Sequence, residues 1–206
     1  YGNSLQEASS RGHDKIVELL LEKGANVNAQ GGFHDNALQA ASSNGHDKIV
    51  KLLLEKGANV NARSGYYGNA LQEASSRGHD KIVELLLEKG ANVNAQGGFY
   101  DNALQAASSN GHDKIVKLLL EKGANVNARS GYYGNALQEA SSRGHDKIVE
   151  LLLEKGANVN ARSGIYGNAL QEASSRGHDK IVELLLEKGA NAPATLRQPQ
   201  QLCQGL

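Results

Sequence analysis

The sequence predicts an all-α solenoid, a row of helix-turn-helix units joined by β-hairpin-like loops. Three observations lead there. The string GNALQ-x-AS-x-x-GHDKIV-x-LLLEKGAN recurs almost unchanged, its Gly-His step beginning at Gly12, Gly45, Gly78, Gly111, Gly144 and Gly177, 33 residues apart each time. A fixed period of this size means one supersecondary unit stacked on copies of itself. Within each copy the apolar residues return at helical rather than strand spacing. Finally, 206 residues hold about six copies, so one continuous array replaces the one or two domains that length alone suggests.

Each element can be justified from the third unit, Ser64 to Gln96. Asn69 is a good N-cap, and Gln72, three residues on, can reach back as the other half of a capping box. Leu71 and Ala74 mark the buried stripe of a short first helix, which Gly78 stops. Asp80 opens a second helix at the positive end of its dipole. Ile82/Leu86 and Val83/Leu87 pair at i,i+4 with Leu85 between them, an apolar arc wide enough to need cover from more than one side. Lys89 lies at the negative end and Gly90 supplies a left-handed stop. The segment that follows, rich in Asn, Gly and aromatic residues, reads as a turn or hairpin. Five large aliphatics at roughly 1.5–3 kcal/mol each cannot offset the ordering of some 33 residues at about 1–2 kcal/mol apiece. Neighbouring units must supply the rest. With helices about 8–10 Å apart, six units make a curved rod on the order of 60 Å long.

Composition narrows the function classes. The 22 basic and 22 acidic residues balance, and no basic stripe of the kind that tracks nucleic acid is present. Apolar runs such as Ile82 to Leu87 are far shorter than a membrane span. The histidines His13, His46, His79, His112, His145 and His178 recur once per unit, with no second ligand at metal spacing beside them. Cys203, the sole cysteine, has no partner in a recognisable catalytic motif. No catalytic residue, metal site or cofactor is expected, and the protein is read as a non-enzyme. The chain opens at Tyr1 in mid-motif, which reads as a piece cut from a longer polypeptide, or as a processed product, with a truncated first unit.

The run GH-x-x-IV-x-LLL-x-x-GA-[ND]-VNA, at Gly78–Ala95, resembles the second half of an ankyrin repeat, and the period matches. The first half departs from that family: where G-x-TPLH-x-A is usual, this chain has Tyr67-Gly68-Asn69-Ala70-Leu71-Gln72-Glu73-Ala74. Asn takes the Thr capping role, Ala the Pro role and Gln the His role. The YGNALQ-x-AS variant with NAQGG or NARSG loops resembles the ankyrin arrays of fungal NACHT-type, NLR-like proteins. The resemblance implies a cytoplasmic module at the C-terminus of a signalling NTPase, sensing a ligand or partner. No P-loop of such an NTPase occurs in this chain. It also implies that the recurrent His bonds backbone between units.

The copies differ at few places. Glu-type units carry Glu73, Arg77 and Glu84; Ala-type units carry Ala106, Asn110 and Lys117. They run Glu, Ala, Glu, Ala, Glu, Glu. Other differences cluster in the loops: Phe33-His34-Asp35, Tyr66-Tyr67-Gly68, Phe99-Tyr100-Asp101, Tyr132-Tyr133-Gly134 and Ile165-Tyr166-Gly167. Ankyrin repeats generally read partners with loop tips and the exposed face of the first helix, along a concave side. The resemblance therefore nominates Phe33, His34, Asp35, Tyr66, Tyr67, Glu73, Arg77, Phe99, Tyr100, Asp101, Asn110, Tyr132, Tyr133, Glu139, Arg143, Ile165 and Tyr166 as protein-contacting residues. Drift at unconstrained exposed positions is the competing explanation. The aromatics also have two readings, a ladder of stacked rings along the loops or a face turned to a partner. Glu73 and Arg77 should pair at i,i+4. The second-helix series Glu18, Lys51, Glu84, Lys117, Glu150 should attract from unit to unit, with Glu150 beside Glu183 breaking the alternation.

The array is expected to span residues 1–191, with residues 192–206 a tail that either covers the last helices or stays disordered. The first unit repeats the apolar Leu19, Leu20 and Leu21 of internal copies, so end-to-end self-association is expected if nothing precedes it. The leading function is a non-catalytic protein-binding module from a larger signalling protein, with no nucleic-acid or membrane partner. The alternative is a consensus-like or engineered scaffold without a dedicated ligand.

Overall fold

The computed structural model describes residues 3–31, 35–63, 68–129, 134–162 and 167–191. Among them are twelve helices in six pairs and no strand. The pairs are α1 (Ser4–Ser10) with α2 (Asp14–Glu22), α3 (Ala37–Asn44) with α4 (Asp47–Glu55), and α5 (Ala70–Arg77) with α6 (Asp80–Glu88). They continue with α7 (Ala103–Asn110) and α8 (Asp113–Glu121), α9 (Ala136–Arg143) and α10 (Asp146–Glu154), and α11 (Ala169–Ser175) and α12 (Asp179–Glu187). The tail, with Pro193 and Cys203, lies outside the described residues.

The caps fall where the residue chemistry puts them. Asn69 Oδ1 accepts from the Gln72 N–H at 2.9 Å, and Gln72 Oε1 accepts from the Asn69 N–H at 2.7 Å, closing the capping box of α5. Gly78, at φ +80°, ends the helix. After α6, Ala91 N–H reaches Leu86 C=O at 2.9 Å and Gly90 N–H reaches Leu87 C=O at 3.1 Å. This is the paired bond set of a Schellman stop, with Gly90 at φ +85°.

Packing then joins the pairs. Ile82, Val83 and Leu86 are fully buried, while Leu85 and Leu87 are half-buried against the same continuous core. The wide apolar arc of the second helix is thus closed partly by its own first helix and partly by the next unit. Each internal first helix meets first helices on both sides, whereas second helices touch their neighbours sparingly. The first-helix row is therefore the closer-packed one.

Side chains tie the joints. Nε2–H of His79 donates to the C=O of Ser43 in the preceding unit at 3.0 Å, and His46, His112, His145 and His178 repeat this bond at 3.0–3.1 Å. A carbonyl can only accept, so the bonded nitrogen carries the proton. The inter-unit role implied by the family resemblance is what these rings do. A second ladder runs through the asparagines that follow each second helix. Asn94 Nδ2 donates to Gly123 C=O at 3.1 Å, and its Oδ1 accepts from Asn125 N–H at 2.8 Å. Asn28, Asn61, Asn127 and Asn160 do the same across the other joints.

Candidate functional site: the first-helix and loop face

The nominated residues separate into three groups. Phe33, His34, Tyr66, Tyr67, Tyr132, Tyr133, Ile165 and Tyr166 lie outside the described residues. Asp35, Glu73, Asp101, Asn110 and Glu139 are engaged in holding the array together. Arg77, Phe99, Tyr100 and Arg143 stand at least partly exposed on the first-helix and loop side.

Glu73 and Glu139, expected on an exposed helix face, are only 5% and 8% exposed. The reason lies in the preceding unit. Ser43 Oγ donates to Glu73 Oε2 at 3.0 Å, and Ser109 Oγ to Glu139 Oε2 at 2.8 Å. The Ala-type unit before each of them carries Ala40 or Ala106 at the same repeat position. Burial pushes the Glu73 carboxyl above the usual carboxylate range, opposed by the Ser43 hydroxyl and the charge of Arg77. Glu139 is raised in the same way, and Glu172 in the next unit raises it further. The expected Glu73–Arg77 ion pair does not close. Its terminal counterparts do, Arg11 to Glu7 at 2.6 Å and Arg176 to Glu172 at 3.6 Å.

Asn110, exposed as expected, binds back across the joint. Its Nδ2 donates to Ala106 C=O at 2.8 Å and reaches Ser76 Oγ of the preceding unit at 3.4 Å; Asn44 mirrors this with Ala40 and Ser10. The Glu/Ala alternation is accordingly a pattern of joints. A Glu-type unit gives its serine to an Asn, and an Ala-type unit gives its serine to a Glu.

The loop differences follow a local rule as well. Asp35 and Asp101 sit at φ +64° and +67°, in the left-handed region that Asp tolerates, where Glu-type units place glycine. In the fully described loop, Asp101 C=O accepts from Gly97 N–H at 2.8 Å, and Asn102 N–H goes to Tyr100 C=O at 2.9 Å. That last bond takes the donor a capping box would use, so buried Gln105 Oε1 is left unpartnered. In α5 the Gln72 carboxamide oxygen occupies the space a Cβ on Gly68 would need, so glycine and a complete box go together. The other end of the Gln crosses the joint in the first five units: Gln72 Nε2 donates to Gly97 and Asp101 C=O at 2.9 and 2.8 Å.

Phe99 is 39% exposed and packs edge-on against Tyr100, centroids 4.9 Å apart. The rings that would extend this into an inter-unit ladder, Tyr66 and Tyr132, lie outside the described residues. On the second helices no ion pair within 4.0 Å joins Lys51 or Lys117 to the neighbouring glutamates among the described residues. Instead Lys180 approaches Asp146 at 3.1 Å and Glu150 at 3.8 Å, at the joint where two Glu-type units meet. Shallow recesses of about 370 and 360 Å³ open beside His145 and His79. Among the described residues no three His, Cys, Asp or Glu side chains gather as metal ligands, and no helix is long and apolar enough to cross a membrane.

Six stacked helix pairs with inter-unit histidines and left-handed glycine stops define the geometry, and the sequence comparison agrees with it. The family description "Ankyrin repeats (3 copies)" matches residues 5–97, 96–163 and 134–195. The chain belongs to the ankyrin-repeat family. Among solved structures, the crystal structure of the human ASB11 ankyrin repeat domain is similar with a TM-score of 0.81 at 29% identity, over 92% of this chain and 85% of that one. The search of curated proteins gave no match. Ankyrin arrays are in general interaction scaffolds rather than catalysts, and the alignment extends over nearly the whole array.

Proposed function

We propose that this ankyrin array is a protein-binding module that engages its partner through the first-helix and loop face, and that this face is the concave side of the array. One observation carries the reading. Arg77, Arg143 and the Phe99–Tyr100 ring pair remain at the surface on that side, while the residues around them on the first helices are consumed by the stack. Arg and aromatic side chains are those enriched where proteins meet. The YGNALQ-x-AS variant supports placement in the cytoplasm as the sensing part of a larger signalling protein, by its resemblance to fungal NLR-like arrays. A second reading, a scaffold without a dedicated ligand, is favoured by a specific observation: the alternating Glu73, Ala106 and Asn110 positions are explained by joint contacts and need no partner.

Capture from an extract of the source organism separates the two. The intact array is compared with a variant carrying Arg77→Ala, Tyr100→Ala and Arg143→Ala. Loss of a partner specific to the intact array supports the module. Retention of every captured protein removes the first-helix face from consideration.

A further inference from the structure

Arginine and lysine are segregated in this chain. Among the described residues every arginine (Arg11, Arg63, Arg77, Arg129, Arg143, Arg162, Arg176) lies on a first helix, at its C-cap, or in the loop before it. Every lysine lies on a second helix or at its C-cap. The carboxylates of the first helices are distributed the opposite way in depth. Glu73, Glu139 and Glu172 are 5%, 8% and 6% exposed, whereas Arg63, Arg77, Arg129, Arg143 and Arg162 are exposed and the Arg176 side chain, whose Nε lies 3.6 Å from Glu172, is 53% exposed. Only Glu7, at the first unit, offers an exposed first-helix carboxylate, and it is paired with Arg11. Asp35 and Asp101, in the loops, are partly covered. The overall charge is zero, yet the accessible charge on the first helices beyond α1 is guanidinium.

From this segregation we infer that the first-helix face of α5 to α11 binds an extended acidic polypeptide segment, its carboxylates received by Arg77, Arg143 and Arg176 with Arg63, Arg129 and Arg162 along the loop edge. This rests on the reading of that face as a protein-binding surface and names the chemistry of its partner. Guanidinium is a planar, weakly hydrated fork that binds carboxylate in bidentate fashion, and lysine is the better solvent-facing cation, so the segregation matches a bound face and a free one. The spacing is also defined. Arg143 and Arg176 stand one unit apart, about 10 Å, and Arg77 and Arg143 two units apart, about 20 Å. An extended chain advancing about 3.3 Å per residue would meet them with carboxylates roughly three and six residues apart. The three glutamates, being buried, present no open carboxylate to such a segment.

The test is fluorescence anisotropy with the full chain and a labelled peptide of about twelve residues, with glutamates at those spacings in a Gly-Ser background. The same peptide with glutamine for glutamate and a thymidine oligonucleotide serve as comparison probes. Binding of the acidic peptide that weakens with salt, falls at least about tenfold in Arg77→Gln/Arg143→Gln/Arg176→Gln, and is unchanged in Lys81→Gln/Lys114→Gln/Lys147→Gln is the expected result. If the glutamine triple loses its helical circular dichroism, Arg77→Lys/Arg143→Lys/Arg176→Lys decides, with an expected loss of about threefold from the missing bidentate contact. Equal binding of the glutamine peptide or of the oligonucleotide overturns the inference, as does an equal loss in the lysine triple on the second helices. Absence of acidic-peptide binding, in a protein whose captured partner still depends on Arg77 and Arg143, overturns the acidic chemistry alone and leaves the binding face standing.

Discussion

The hydroxyl of Ser43 donates to the carboxylate of Glu73 across a joint between units, at 3.0 Å and out of contact with solvent. A carboxylate so placed is costly to keep charged. Its pKa, and that of Glu139, is raised above the ordinary value of 4.5. A raised folded-state value means the native protein holds these protons more tightly than the unfolded chain. The burial penalty is therefore present at neutral pH and is relieved as pH falls through the raised values toward 4.5. Glu73→Gln with Glu139→Gln should raise stability at neutral pH and flatten its dependence on acidification over that window. Urea unfolding of both proteins at pH 5 and pH 7.5 measures it; an unchanged pH slope would contradict the assignment.

The last joint lacks this arrangement. Glu139 and Glu172 come from adjacent Glu-type units and are 8% and 6% exposed, and the charge of Glu172 adds to the burial that raises the Glu139 carboxyl. Glu172 finds Arg176 at 3.6 Å in place of a serine hydroxyl. Glu172→Ala with Arg176→Asn would recreate the joint seen between α5 and α7, where Asn110 reaches Ser76. Stability should rise by about 0.5–1.5 kcal/mol, and amide hydrogen exchange in α11 and α12 should slow. Faster exchange there would count against the proposed crowding.

Two glycine substitutions separate backbone strain from contact. Gly78 and Gly90 have nearly the same φ, +80° and +85°, but a Cβ on Gly78 would lie 2.6 Å from Cε1 of His112, whereas Gly90 has nothing within 4 Å. Gly90→Ala should cost about 1 kcal/mol of backbone strain. Gly78→Ala should cost that plus the displaced His112–Ser76 bond, about 2 kcal/mol in all. Chemical denaturation of the two variants reads the difference, and equal midpoints would show that the ring yields freely.

The asparagine ladder is directly testable at one rung. Asn94→Ala removes a donor to Gly123 and an acceptor for Asn125, and should destabilise the array by about 1–2 kcal/mol. Asn94→Asp keeps the acceptor and should retain about half of that. If the two variants unfold alike, the Gly123 carbonyl is the part that matters.

What could be read in the sequence was what neighbouring residues decide among themselves. Asn69 and Gln72 are three apart, Gly78 and Gly90 end the helices their own segments begin, and Ile82 with Leu86 share a face of one helix. The depth of Glu73 could not be read that way, because its partner Ser43 belongs to another unit. In helix α5 alone the residue looks like an exposed partner for Arg77. Asn94 was likewise hidden in plain composition, since its partners are 29 and 31 residues away. The alternation of Glu-type and Ala-type units was visible in the string but ambiguous there; only the positions of Ser43, Ser76 and Ser109 turn it from surface variation into a joint.

Because each kind of joint needs one neighbour of either type, lengthening the molecule by 66 residues copies interfaces that already exist, whereas adding 33 sets like against like. Growth by whole pairs is thus the neutral step for a recombining gene of this kind, and an odd insertion leaves a scar. The meeting of Glu139 with Glu172 is the one like-against-like joint among the described residues.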